Sequence, residues 1–314
     1  MGVEISVIIT TYNQPFEVIM HSIQSVLMQE NVKFELIIAD DHSTCDYSNR
    51  YREVFAAKGF SSYRLIRNET NLKTVLNIAN ALDYASGEYV KTIDAGDLLY
   101  SPHTLREILN YCKDNDVSVG FGNIVRFYSD GEDGYVRSDY RAPRQLNHFF
   151  EIGDYDSSSV LKKQMESADW IPAASQFYRT DVYRGLLRAL GDHYGVRYCQ
   201  DFASVLALGH YQIHHFDYPI YWYEWGTGIS TKGDLSSRMR LYADHEKFYS
   251  MLGSERFLGV DLRKACMGFK LRKLIATSPF YNAAVGILNR YDAEKHPLDD
   301  EFFYNCIHAG VMEK

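Results

Sequence analysis

Two carboxylates set three residues apart, Asp94 and Asp97, carry the chemistry this chain advertises most plainly. They end the stretch Tyr89-Val90-Lys91-Thr92-Ile93-Asp94-Ala95-Gly96-Asp97. β-Branched and aromatic residues favour a strand from Tyr89 to Ile93. Ala95-Gly96 then breaks it and lets the backbone approach a ligand closely. In an open α/β sheet, ligands bind at the carboxyl ends of the strands. Paired carboxylates at such an end suit a hard divalent cation, Mg2+ or Mn2+, which would usually also hold the phosphates of a nucleotide. The plain alternative is an Asp- and Gly-rich turn that only ends a strand.

The elements that must position this turn follow from the pattern before it. Ile5-Ser6-Val7-Ile8-Ile9-Thr10 is a continuous β-branched run, as expected of a strand buried on both faces. Val18, Ile19, Ile23, Val26 and Leu27 then recur at helical spacing. Phe34-Glu35-Leu36-Ile37-Ile38-Ala39 makes a second strand that ends in Asp40-Asp41-His42-Ser43-Thr44. A right-handed crossover makes the two strands parallel neighbours, so Thr10, Tyr12 and Asp40 gather at one sheet edge. One of the paired aspartates, Asp40 or Asp41, can cap a helix while the other reads a ligand. A third strand over Tyr63–Ile66, a helix over 73–85 and a strand near Val117–Gly122 continue the alternation, which argues α/β with a mostly parallel sheet.

Residues 129–170 are polar, rich in Gly and Asp, and weakly periodic. They read as an irregular segment, part of it a mobile cover over an acceptor site. A strand over Ser175–Tyr178 and a helix over Asp181–Leu190 follow. Another helix opens at Cys199-Gln200-Asp201-Phe202, and Ile213–Tyr223 reads as a strand region that Pro219 marks as an edge. From about residue 233 the pattern is helical. Cys266, Phe269, Leu271, Leu274 and Ile275 interleave there with Lys264, Lys270, Arg272 and Lys273. A solvated basic face is the preferred reading, and peripheral contact with a membrane surface is the alternative.

Composition narrows the function classes. The 314 residues can bury a substantial core, and a formal net charge of -8 argues against a nucleic-acid partner. The five cysteines are scattered without a C-x-x-C pair, so a zinc site or redox motif is not expected. An odd count with no signal-like or bilayer-spanning run fits a cytoplasmic setting, with membrane association through the C-terminal helices held open. Gly-x-Gly-x-x-Gly does not follow the first strand, which speaks against a dinucleotide-binding dehydrogenase.

Five segments in order carry a resemblance. Ile5–Asn13, Leu36–Thr44, Ala85–Val90 with Asp94–Asp97, Gln200-Asp201, and Tyr223–Ser230 resemble the successive motifs of the family 2 glycosyltransferases, over about residues 4–231. The resemblance implies a GT-A fold, with a nucleotide-binding half over about 1–128, an acceptor half over about 129–232, and a C-terminal helical region over 233–314. It implies an inverting transferase that moves a sugar from a nucleotide diphosphate sugar to a hydroxyl on a glycan, lipid-linked or protein-linked acceptor. Bacterial surface glycan or glycoprotein glycan synthesis is the usual setting.

The residues then take roles. Tyr12 can stack on a base. Asp40 can accept a hydrogen bond from an imide N–H, which uracil carries and cytosine lacks, so a UDP-sugar is the expected donor. Lys73, where the family often has Gly, could reach a phosphate, and Asp94 could bind ribose. The usual metal segment is Asp-x-Asp-Asp, and here its third position is Gly96, so the cation is expected on Asp97. Asp201 matches the second residue of the family's Glu-Asp motif and is expected to be the general base. His42 and Gln200 depart from the family pattern. Gly96 and Gln200 keep a second reading in view, a nucleotide-sugar-binding protein with impaired catalysis.

Overall fold

The computed structural model describes residues 2–129, 131, 134–139, 142–143, 146, 150, 156–167, 169–228, 231, 234–276, 278 and 294–308. Strand and helix alternate through the first half: β1 (Ile5–Thr11), α1 (Phe16–Leu27), β2 (Phe34–Asp40), α2 (Ser48–Ala57), β3 (Tyr63–Arg67), α3 (Lys73–Leu82) and β4 (Tyr89–Asp94). A two-residue strand β5 (Leu98–Leu99), α4 (Thr104–Asp114), β6 (Val119–Ser129) and β7 (Tyr135–Ser138) follow. Then come α5 (Ser157–Ser167), β8 (Gln176–Arg179), α6 (Thr180–Arg188) with a π-helical turn Ala189–His193, α7 (Phe202–Ala207) and β9 (Ile213–Glu224). The described C-terminal elements are α8 (Leu235–Ser254), α9 (Arg263–Ile275), β10 (Lys295–Pro297) and α10 (Glu301–His308).

The described strands join in one sheet ordered β10-β7-β6-β8-β4-β1-β2-β3, with β9 beside β6 and β5 beside β9. β1, β2, β3 and β4 are mutually parallel where they pair, whereas β8 runs antiparallel to both β4 and β6. The sheet is therefore mixed. Its period-two side chains build two cores. Val7, Ile9, Leu36 and Ile38 pack with α1, α2 and α4 on one face. Ile8, Ile37 and Ala39 pack with α3, α6, α7 and α8 on the other. Because both faces are covered, β1 is buried along its whole length, with Ile5, Val7, Ile8 and Ile9 as its apolar residues.

This arrangement fixes where a ligand can sit. The chain runs β1, β2, β3 in one direction across the sheet and then returns to place β4 on the far side of β1. The crossover helix α3 that makes this return lies on the face opposite α1 and α2. The crevice at the carboxyl ends of β1 and β4 is thus the topological switch point of the sheet.

Two differences from the sequence reading, in the segment 129–170 and in the C-terminal region, have physical causes. The segment 129–170 contains β7 and the helix α5, which buries Val160, Leu161 and Gln164. Its weak periodicity hides a helix with only a few inward residues, while 130, 132–133, 140–141, 144–145, 147–149, 151–155 and 168 lie outside the described residues. Pro219, expected to mark an edge, sits at a register shift between β6 and β9, and among the described residues β9 has a neighbour on its other side only at Tyr221 and Trp222. The C-terminal region is helical but returns to the sheet. β10 pairs with β7, and Phe303 of α10 packs among Phe127, Trp222 and Leu98.

Candidate active site

The acidic turn is sewn in place by α1. The Ser22 hydroxyl accepts the Gly96 N–H at 2.9 Å and donates to the Asp97 carbonyl at 2.7 Å. Ser25 takes the Leu99 N–H at 3.2 Å. Gly96 adopts a φ of 109°, a conformation that L side chains rarely reach. The turn is closed by the Asp97 N–H donating to the Asp94 carbonyl at 3.0 Å.

Asp94 and Asp97 part company here. Asp94 has an exposed carboxylate although protein surrounds it densely, which marks the floor of a cleft; Thr10 donates its hydroxyl to Asp94 Oδ1. Burial raises its pKa, against the Thr10 hydrogen bond and the Lys91 charge. Asp97 is only 5% exposed. Its Oδ2 accepts the Tyr221 hydroxyl at 3.0 Å and its Oδ1 accepts the Glu224 N–H at 2.7 Å. Burial, with the neighbouring Asp94 charge, pushes its pKa well up. Asp97 thus ties the turn to β9, and Asp94 presents a carboxylate to the crevice.

Lys91, three residues before Asp94 on β4, is fully buried under the turn. Its Nζ donates to the Ala174 carbonyl at 2.5 Å and the Thr92 carbonyl at 3.0 Å, and lies 4.5 Å from the centre of the Tyr221 ring. Burial lowers its pKa to about 7, while Asp94 and Asp97 act in the opposite sense. Sequence reasoning gave Lys91, Tyr221, Ser22 and Ser25 no role. A lysine in the middle of a buried strand was the signal available for the first.

Asp201, about a hundred residues beyond the turn, comes to the same place. Burial raises its pKa to about 6, opposed by the Ala173 N–H and reinforced by the Asp94 charge. Its side chain makes no cap hydrogen bond to α7 and instead accepts from Ala173 N–H. The preceding Gln200 is buried, and its Oε1 has no hydrogen-bond partner.

The ends of β1 and β2 form the other wall. Tyr12 is 48% exposed, free to stack. Asp40 Oδ1 accepts the Ser43 N–H at 2.9 Å and the Ser43 hydroxyl at 2.5 Å, while Arg67 Nη1 reaches Oδ2 at 2.5 Å. Asp41 does the capping: it accepts the Leu72 N–H at 2.7 Å and the Lys73 N–H at 2.8 Å at the start of α3. His42 and Lys73 both have positive φ, 66° and 69°. Those are the positions where Gly, or Gly or Asn, is commoner in the resembled family, and left-handed backbone is the reason. Of the closing loop, Ile229 and Ser230 lie outside the described residues.

Among the described residues no three His, Cys, Asp or Glu side chains form a ready metal cage. Mg2+-type ions are commonly held by one or two carboxylates plus phosphates and waters, which the donor set here can supply. Four carboxyl groups, Asp94, Asp97, Asp201 and Glu224, and one ammonium, Lys91, interact across this floor. A separate cavity of about 690 Å3, lined by Leu186, His193, Tyr194, His210 and Phe257 among others, includes none of these five residues.

Comparison with known proteins agrees with this geometry. The curated relatives include EpsE of Bacillus subtilis (strain 168), a proposed glycosyltransferase, at 34% identity over 99 residues, covering 32% of this chain and 35% of EpsE. The uncharacterized glycosyltransferase MJ1057 of Methanocaldococcus jannaschii is 27% identical over 208 residues, covering 58% of this chain and 69% of its own. The chain therefore spans only about a third of the length of EpsE. Among solved structures, Staphylococcus aureus TarS 1-349 in complex with UDP-GlcNAc superposes with a TM-score of 0.51 at 16% identity, covering 90% of this chain and 83% of its own. The mannosyltransferase PcManGT of Pyrobaculum calidifontis, in complex with GDP-Man and Mn2+, gives 0.52 at 14% identity, covering 98% and 84%. At that identity the likeness establishes the fold, which is GT-A. The family model described as glycosyl transferase family 2 matches residues 6–166, just over half of the chain, and with the motifs standing at the strand ends that border the crevice, the chain belongs to glycosyl transferase family 2.

Proposed function

We propose that the protein is an inverting, metal-assisted glycosyltransferase that uses a nucleotide diphosphate sugar, with a UDP-sugar as donor. The observation that carries this reading is the meeting of Asp201 and the acidic turn at one crevice: Asp201 accepts the Ala173 N–H, and Lys91, beneath the turn, donates to the neighbouring Ala174 carbonyl. Solved relatives of the same fold hold UDP-GlcNAc or GDP-Man, which supports a nucleotide sugar in general.

Tyr12 stacks on the base. Asp40 spends three of its roughly four acceptor positions on Ser43 and Arg67, leaving one on Oδ2 for an imide N–H. Uracil offers that group; guanine carries an N1–H as well, so GDP is the discriminating competitor. Lys73 reaches toward the diphosphate, and Thr10 holds Asp94 in its orientation. The sequence assigned the cation to Asp97. Its two engaged oxygens favour Asp94 as the carboxylate that faces cation, ribose and diphosphate, with Asp97 holding the turn. A bound Mg2+ or Mn2+ would supply charge neutralisation to the leaving diphosphate.

In the transfer step the acceptor hydroxyl oxygen attacks the anomeric carbon from the face opposite the nucleotide. The carbon–oxygen bond to the β-phosphate breaks, and its electron pair leaves with the diphosphate. The hydroxyl proton passes to Asp201, whose raised pKa suits a base working near neutrality.

The acceptor is a hydroxyl of a glycan, lipid-linked or protein-linked substrate, in surface glycan or glycoprotein glycan synthesis by analogy with the family. Among the described residues no helix is long and apolar enough to cross a membrane. α9 exposes Met267, Leu271 and Leu274 beside Lys264 and Lys270, which supports a peripheral membrane contact at a cytoplasmic face. A second reading, impaired catalysis with retained nucleotide-sugar binding, draws on Gly96 and on the unpartnered Gln200 Oε1.

The test is a thermal-shift panel of UDP, GDP, CDP and ADP with and without Mn2+. A ligand that binds only the folded state raises the melting temperature. UDP with Mn2+ should give the largest shift. Equal shifts from all four nucleotides would remove the base-reading role of Asp40, and binding without turnover of any UDP-sugar would favour the second reading.

A further inference from the structure

The resembled family places an acidic residue at the third position of Asp-x-Asp-Asp, where this chain has Gly96. The backbone there has a φ of 109°, so an Asp would be strained. The space is also taken. A Cβ placed on Gly96 would meet Glu224 Oε2 at 2.8 Å. A carboxylate from another part of the chain therefore stands where the missing side chain would begin.

Its placement is built, not incidental. β5 pairs with β9 through Leu98–Trp222 and Leu99–Tyr221, a register that brings the end of β9 beside the acidic turn. The Glu224 N–H donates to Asp97 Oδ1 at 2.7 Å, fixing the residue's backbone against the turn. Thr227 then donates its hydroxyl to Glu224 Oε2 at 2.9 Å, orienting the carboxylate. Lacking one carboxylate on the turn, the chain supplies one from the adjacent strand.

We infer that Glu224, set beside Gly96 and tied through its N–H to Asp97, replaces the absent acidic residue at position 96 as a ligand for the hard divalent cation. This rests on the donor-site reading given above. It makes the cation site a joint product of β4 and β9, so that the strand carrying the closing loop also completes the metal site.

The test measures Mn2+ binding directly, by the loss of free-Mn2+ electron paramagnetic resonance signal, in the presence of saturating UDP. Glu224→Gln keeps the side-chain shape and an acceptor for Thr227. Removing partners that only orient metal ligands costs about 10- to 100-fold in affinity, so loss of a direct ligand should weaken Mn2+ by about tenfold or more. Thr227→Val, which frees the carboxylate without removing it, should give a smaller loss. UDP affinity measured without Mn2+ should be unchanged in both variants. Wild-type Mn2+ affinity in Glu224→Gln overturns the inference, as does a wild-type protein that binds UDP but no Mn2+. If UDP and GDP both fail to bind the wild-type protein, the donor-site reading falls and takes this inference with it. If Glu224→Gln fails to fold, Thr227→Val decides: unaltered Mn2+ affinity there counts against the inference.

Discussion

Replacing Asp201 by Asn separates its chemistry from its architecture. Asn keeps an oxygen that can accept the Ala173 N–H, but it cannot take a proton at neutral pH. If Asp201 is the general base, the variant should transfer roughly 100-fold or more slowly. The structure adds a stability consequence. The Asp201 pKa is raised from an ordinary 3.8 to about 6, chiefly by burial. A folded-state pKa above the unfolded one means that the proton stabilises the fold. That contribution is complete below about pH 4 and is lost as the pH rises through about 6. A shift of about two units corresponds to about 3 kcal/mol of stability missing at pH 7.5, taken as an upper bound. Asp201→Asn should therefore melt higher than wild type at pH 7.5 and lose that advantage below about pH 4. Nucleoside diphosphate release from a UDP-sugar should rise with pH through about 6 in the wild type, where the base becomes free, and that acid limb should vanish in the variant. UDP binding should persist. Turnover within a few-fold of wild type would refute the assignment. A variant that melts lower at every pH would show that the carboxylate serves mainly to hold Ala173.

Other outcomes follow from single contacts. Lys73→Gly should stabilise the fold by about 1 kcal/mol, since it relieves a left-handed lysine, yet weaken UDP binding if the ammonium meets the diphosphate; calorimetry against UDP titration separates the two. Ser22→Ala removes the partner of the Gly96 N–H and of the Asp97 carbonyl and should cost about 1–3 kcal/mol in chemical denaturation, with a loss of Mn2+-dependent UDP binding beyond the loss of stability.

Much of the fold was legible because periodicity is local. The β-branched run Ile5–Thr10 announces a strand covered on both faces, and β1 is buried throughout. The alternation through β4 announces parallel strands, and the order of the five motifs announces a GT-A enzyme family. α5 was not legible, because a short helix with three inward residues, Val160, Leu161 and Gln164, leaves little repeat to detect. Nor was β10, whose three residues Lys295–Pro297 are a strand only because β7 lies beside them.

The same division runs through the site. Residue types and their places at strand ends singled out Thr10, Tyr12, Asp40, Asp94 and Asp97, because sheet topology carries strand termini to one edge whatever the packing details, while Asp201, which precedes α7, was singled out by the family resemblance. Tertiary structure decided how the work is divided among them. Asp40 and Asp41 are adjacent and identical in type, yet one pairs with Arg67 and the other caps α3, since only the fold says which side of β2 each carboxylate faces. Asp94 and Asp97 are likewise equal in the sequence. The strand β9, entering more than a hundred residues later, takes up both Asp97 oxygens with Tyr221 and Glu224, and leaves Asp94 to the crevice. Contacts of such long separation have no signature in local pattern, and they set which carboxylate meets a ligand.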